Sequence, residues 1–240
     1  MSEIALDRRS LIAGAGTIAA LVASPAALAQ SAALAQSAAL SARKTAPVKP
    51  PQPLPFDPKA VGWLSEKLLT SHHDNNYAGA VKRIDAIHGE LAGLDFATAP
   101  GFKLNGLKRE ELIAWNSAAL HELYFDGLTG GEKPTARLGA ALERDFGSVA
   151  GWAAEFSALG KALGGGSGWA LLTWSGRDGR LMNQWAADHT MTLAGGTPLL
   201  ALDMYEHAYA MDFGAKAAVY VDAFMGGFGW ANANRLFAKG

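Results

Sequence analysis

The sequence predicts an α+β protein: an N-terminal antiparallel helical hairpin, then a C-terminal domain with a small three-stranded antiparallel sheet flanked by helices. Three observations predict it. From Leu64 to Leu94 there is no proline, and Leu64, Leu68, Leu69, Tyr77, Val81, Ile84, Ile87 and Leu91 recur at helical spacing. A second helical stretch runs from about Arg109 to Leu128 and stops at Gly130-Gly131. Beyond Gly168 the pattern changes to short apolar runs separated by turn residues.

Taken in order, the chain opens with what reads as an export signal over residues 1–29. Arg8-Arg9 precedes a mildly apolar, Ala/Gly-rich run from Ala13 to Ala23, and Ala27-Leu28-Ala29 has the small-residue pattern of a cleavage site. The arginine pair resembles a twin-arginine signal, which implies periplasmic delivery of a folded protein. The run falls short of the ~20 residues a membrane-spanning helix needs, which disfavours an uncleaved anchor. AALAQS repeats in tandem, so cleavage after Ala29 or after Ala35 is equally compatible. Residues 30–53, rich in alanine and then in proline, are expected to be a disordered, extended linker outside the fold. The hairpin domain then covers residues 54–131, with a break in its first helix expected near Asp74-Asn75-Asn76, and the second domain covers residues 132–240.

In that second domain, helices are expected over about 135–145 and 147–163. Trp169 to Trp174 and Leu181 to Ala186 form a hairpin around Ser175-Gly176-Arg177-Asp178-Gly179. Pro198 to Leu202 supplies the third strand, and helices follow near 204–213 and 215–237.

Composition narrows the chemistry. The 240 residues carry 21 Lys+Arg against 22 Asp+Glu, a net charge of −1, which excludes the basic footprint of a dedicated nucleic-acid binder. There is no cysteine, so disulfides, zinc ribbons, iron–sulfur clusters and thiol nucleophiles are excluded. No later segment is long and apolar enough to cross a membrane, so no stable membrane association is expected once a signal is removed. The glycine run 164–168 lacks the Lys-Ser/Thr of a phosphate loop.

Six histidines remain: His72, His73, His88, His121, His189 and His207. In Asp203-Met204-Tyr205-Glu206-His207, an oxygen and a nitrogen donor four residues apart can reach one point. By itself that spacing fits a plain Asp–His hydrogen bond better than a metal site.

Asp203-Met204-Tyr205-Glu206-His207-Ala208-Tyr209 resembles the D-x-W-E-H-A-Y signature of iron/manganese superoxide dismutases, with Tyr205 in place of the tryptophan. Gly166-Ser167-Gly168-Trp169-Ala170, Leu54-Pro55-Phe56, Phe146-Gly147-Ser148 and Gly196-Thr197-Pro198-Leu199 are similar to four further landmarks of that family, in the same order, so the resemblance spans about residues 54–237. It implies one iron or manganese ion per subunit, held by three histidines and an aspartate: His121, Asp203, His207 and a first-helix histidine. Counted without gaps from Leu64-Ser65, that histidine is His72. A rival register, anchored on Tyr77 as the family's active-site tyrosine, puts Leu69 at the ligand position and leaves His73 behind it. A leucine offers no donor, which favours the ungapped register.

The resemblance also implies departures. Asn76 and Ala80 stand where the family has a histidine and the gateway tyrosine, and Ala210 where it has a tyrosine that bonds the histidine across a dimer interface. The two positions from which the family presents a glutamine to metal-bound solvent read Ser117 and about Gly195. The Gln184–Thr192 segment is longer than the family's norm and carries His189, which is expected either to replace that glutamine, titrating near neutrality, or to be a solvated loop residue. Glu206 implies a homodimer by analogy, and His88 is expected between helices or at the surface. The activity implied is disproportionation of superoxide to dioxygen and hydrogen peroxide. The altered gateway keeps two alternatives in view: a metal-binding relative with weak activity and another redox role, and a structural or metal-storing dimer.

Overall fold

The structure is a computed structural model that describes residues 24–26, 28–31, 47–128 and 130–239. Most of the expected signal, Arg8-Arg9 included, lies outside the described residues. The chain divides into two compact units, residues 1–42 and 43–240. In the first, the described residues 25–26 and 28–31 are helical. The second unit holds the other described residues, 47–128 and 130–239.

Its helices are α1 (Glu66–Ser71), α2 (Ala78–Ala92), α3 (Gly101–Gly127), α4 (Ala136–Phe146), α5 (Val149–Ala162), α6 (Ala210–Phe213), α7 (Ala217–Gly227) and α8 (Ala231–Phe237). Its strands are β1 (Trp169–Ser175), β2 (Arg180–Ala186) and β3 (Gly196–Asp203), antiparallel in the order β2-β1-β3. The fold class is therefore the one the sequence predicts. No helix among the described residues is long and apolar enough to cross a membrane.

The first helix is not broken at Asp74-Asn75-Asn76 but widened. Ser65 caps α1 through its side chain, and a π-helical turn over His72–Tyr77 joins α1 to α2. A π turn adds about one residue to a helical turn and is common at functional positions. Under α-helical spacing Asn76 would follow His72 inward; the wide turn buries Tyr77 and leaves Asn76 half-buried. Helix α3 starts eight residues before the expected Arg109. Its first two turns contain Gly101 and Gly106 and face mostly outward, so they carry neither a strong propensity nor an apolar stripe. The region after Asp203 is more divided than expected. A 3₁₀ turn over Glu206–Ala208 precedes α6, and the chain bends between α7 and α8 at Phe228-Gly229-Trp230.

The proline-rich stretch corrects the linker expectation: residues 47–53 are extended but not disordered. Val48 packs on the core, and the Gln52 backbone N–H donates to the Tyr77 hydroxyl at 2.8 Å. Proline supplies the extended φ, and helix groups satisfy the backbone.

Strand β1 is buried along almost all its length, which accounts for its unbroken apolar run. Pro198 sits on the edge strand β3, at a register irregularity opposite Leu172-Thr173, where no ladder N–H is required. Gly168 has φ +133°, and a Cβ there would lie 2.2 Å from the Ala186 carbonyl oxygen, so only glycine starts β1 this close to the end of β2. The register pairs Trp169 with Ala186 on one side and with Asp203 on the other. That pairing brings the end of β3 and the 3₁₀ turn up to the helical hairpin.

Candidate metal centre

Four side chains from four elements of the fold converge: His72 from the π turn, His121 from α3, Asp203 from the end of β3, and His207 from the 3₁₀ turn. One ligand atom of each lies within 4.8 Å of the others. The carboxylate divides its work. Asp203 Oδ1 accepts the Tyr205 N–H at 2.9 Å and shapes the turn that delivers His207. Asp203 Oδ2 faces the Nε2 atoms of His72, His207 and His121 at 3.1, 3.3 and 3.6 Å. Tyr220 donates to the Asp203 backbone carbonyl at 2.9 Å and anchors the strand end.

His72, His121 and Asp203 are buried, and His207 is half-buried. Tyr124 and Phe125 flank His72 at centroid distances of 5.3 and 5.1 Å, and Trp169 meets His121 edge-on at 5.3 Å. This wall excludes water and strengthens every charge interaction inside it.

The donor set calls for a cation. His121 Nδ1 donates to the Ser117 carbonyl oxygen at 2.6 Å, so in the neutral ring Nε2 carries only a lone pair. Burial, and then the charge of His72, hold His121 down to a pKa of about 3, so the ring is neutral over the ordinary range. Burial likewise lowers His72. Burial alone would raise Asp203, but His207's charge and the hydrogen bonds from His207 and His72 keep it ionised. The His121 Nε2 lone pair thus faces a carboxylate oxygen at 3.6 Å and His207 Nε2 at 3.5 Å. A lone pair this close to a carboxylate oxygen is reconciled by a positive ion between them, and three imidazoles with one carboxylate suit iron or manganese. The buried His72 Nδ1 has no partner, so that ring's role lies at Nε2.

A stability consequence follows for the metal-stripped protein. Unfolded, His121 takes up a proton near its ordinary 6.5; folded, it does so only near 3. Between these values the unfolded state binds the extra proton, so stability falls as pH drops through that window. The full shift corresponds to roughly 5 kcal/mol. The melting temperature of the stripped protein is expected to fall from pH 6.5 towards 3, and less steeply in His121→Gln.

The remaining histidines separate cleanly. His73 turns away from the quartet, bonding Asp74 through Nδ1 and the Gln52 carbonyl through Nε2, at 2.7 and 2.8 Å. Tyr77 donates to Glu122 at 2.8 Å and lies under the proline-rich strap, which removes the ground for the rival register. His88 pairs with Glu111 across the hairpin at 3.2 Å.

His189 is not a solvated loop residue. Its ring stacks on Tyr205 at 4.8 Å and lies 6.1 Å from the His121 ring, and its Nδ1 accepts the Trp169 indole N–H at 2.9 Å. Asn116 donates to its backbone carbonyl. Burial lowers its pKa, which moves the titration expected near neutrality to more acidic pH. A neutral ring that accepts at Nδ1 carries its proton on Nε2. Trp169 thus sets the tautomer, a role the sequence reading missed, although its place directly after Gly168 was visible. Ala80 is buried, and Ala210 and Glu206 are exposed.

A helical hairpin and a three-stranded sheet domain that together close a buried three-histidine, one-aspartate centre define a mononuclear metalloprotein. Comparison with known proteins says which kind. The profile described as iron/manganese superoxide dismutases, C-terminal domain, matches residues 134–236. The chain is 65% identical over 187 residues to a superoxide dismutase [Fe] of Cupriavidus metallidurans, covering 78% of this chain and 95% of that protein. It is 33% identical over 197 residues to a superoxide dismutase [Mn] of Haloarcula marismortui, covering 78% and 92%. It is also 33% identical over 190 residues to a superoxide dismutase [Fe] of Aquifex pyrophilus, covering 76% and 88%. The chain belongs to the iron/manganese superoxide dismutase family.

Proposed function

We propose that this chain disproportionates superoxide to dioxygen and hydrogen peroxide, with His72, His121, Asp203 and His207 holding one iron or manganese ion per subunit. The observation that carries the reading is the convergence of these four donors behind an aromatic wall. Bound there, the ion supplies one-electron chemistry between its +3 and +2 states. The residues do the rest. Asp203 offsets part of the ion's charge, which favours the oxidised state. His121 is held in the ligating tautomer by Ser117. His189, with its proton on Nε2, supplies the hydrogen bond to solvent in the site that a glutamine side chain gives elsewhere in the family.

Chelation is expected to abolish superoxide consumption, and reloading with iron or manganese to restore it. Recovery with one metal alone identifies the native ion. Activity that is unchanged on stripping would sink the reading. Asn76, Ala80 and Ala210 support the second reading, a binding relative with weak dismutase activity; metal retention without recovery of a fast rate would favour it.

The exported, dimeric form of the protein is part of the same proposal. Arg8-Arg9 and the apolar run support twin-arginine export to the periplasm, and exposed Glu206 beside His207 supports a homodimer. Arg8→Lys with Arg9→Lys should leave the precursor in the cytoplasm; normal delivery of that variant would exclude the route. Light scattering should give twice the chain mass, and Glu206→Ala should shift it towards the monomer.

A further inference from the structure

The loop that presents His189 is closed by a methionine, and we propose that Met191 is an oxidation site through which hydrogen peroxide detunes the centre. This inference rests on the dismutase reading, because that reaction supplies the oxidant at the site.

Three contacts of Met191 fold residues 187–191 back on β2. Its N–H donates to the Asp188 carbonyl at 3.4 Å, its carbonyl accepts from Gln184 Nε2 at 2.7 Å, and its sulfur accepts the Ala187 N–H at 3.4 Å. Within that loop, Asp188 Oδ1 accepts the N–H and the hydroxyl of Thr190 at 2.7 and 2.6 Å. His189 lies between these clasps and is held by Trp169, Asn116 and the Tyr205 ring. The weakest acceptor in the set is the thioether, and it belongs to a residue that is 43% exposed.

The chemistry balances without another reagent. The sulfur attacks one oxygen of hydrogen peroxide and the O–O bond breaks. Sulfur loses two electrons and keeps that oxygen as a sulfoxide, while the second oxygen leaves as water with both protons. The acceptor for Ala187 N–H is then an oxygen one bond further out, on a polar and pyramidal centre. Ala187 and Met191 cannot keep their present separation around it. The loop opens, and His189 moves off the Trp169 indole that fixes its tautomer. Met211 is a natural control: it is 50% exposed, but it stands in α6, away from this loop.

The test doses the metal-loaded enzyme with hydrogen peroxide and follows three quantities: sulfoxide at Met191 and Met211 by peptide mass spectrometry, amide exchange over 187–191, and superoxide consumption. Met191 sulfoxide is expected to rise together with faster exchange and falling activity, and methionine sulfoxide reductase should reverse all three. With each protein's activity expressed relative to its own undosed start, Met191→Leu should lose activity several-fold more slowly than wild type; Met211→Leu should not. Loss at the wild-type rate in Met191→Leu, or Met191 sulfoxide with unchanged exchange and activity, would overturn the proposal. If the untreated protein consumes no superoxide, the dismutase reading has failed instead, while the sulfoxide and exchange measurements still decide whether Met191 is the latch.

Discussion

His72→Ala is expected to leave the purified protein with almost no iron or manganese and no superoxide consumption, while His73→Ala retains both. The two residues are neighbours with the same chemistry, so the contrast isolates geometry. His72 Nε2 stands 3.1 Å from Asp203 Oδ2 in a buried quartet, whereas both nitrogens of His73 are engaged by Asp74 and Gln52. His121→Ala should match His72→Ala, because it removes a ring whose lone pair is fixed by Ser117. Circular dichroism would separate metal loss from misfolding. If His73→Ala is the variant that loses metal, the ungapped register is wrong and the convergence in the structure is misread.

The second large effect concerns His189. His189→Ala should keep the metal and lose about 10- to 100-fold in activity, the usual cost of removing a group that orients a metal site from behind its ligands. Trp169→Phe tests the cause. It keeps the aromatic bulk against His121 but removes the indole N–H, so His189 is no longer held with its proton on Nε2. Its metal content should stay at the wild-type level while activity falls in the same direction as in His189→Ala. The double variant should be no worse than His189→Ala alone, since both changes act through one hydrogen bond. Independent, additive losses would show that Trp169 contributes packing only.

How legible this site was depended on the kind of signal each residue left. Asp203 and His207 share a turn; their spacing alone fitted an Asp–His hydrogen bond, and the resemblance of residues 203–209 to the family signature is what implied a metal site. His121 was implied as a ligand by the same resemblance, while periodicity placed it on a helix whose start was not clear. The first turns of α3 are exposed and glycine-containing, and nothing in their pattern separates them from a loop. The π turn was the harder case. Its extra residue per turn cannot be told from a break by periodicity, yet it decides that Tyr77 goes inward and Asn76 stays half-buried. The strap over residues 47–53 was missed for a similar reason. Proline-rich composition says that a segment is extended, while its docking depends on a Tyr77 hydroxyl 25 residues along the chain. His189 was a candidate because of the length of its loop, but its tautomer rests on a contact with Trp169 that no local pattern announces.

The central claim is that these four side chains make a working redox centre, and it is tested most directly by measuring metal content and superoxide consumption on one purified sample. The account predicts close to one iron or manganese per chain, with activity that scales with metal occupancy across wild type, His73→Ala and His72→Ala. Full occupancy without superoxide consumption, or consumption that persists in metal-free His72→Ala, would contradict it.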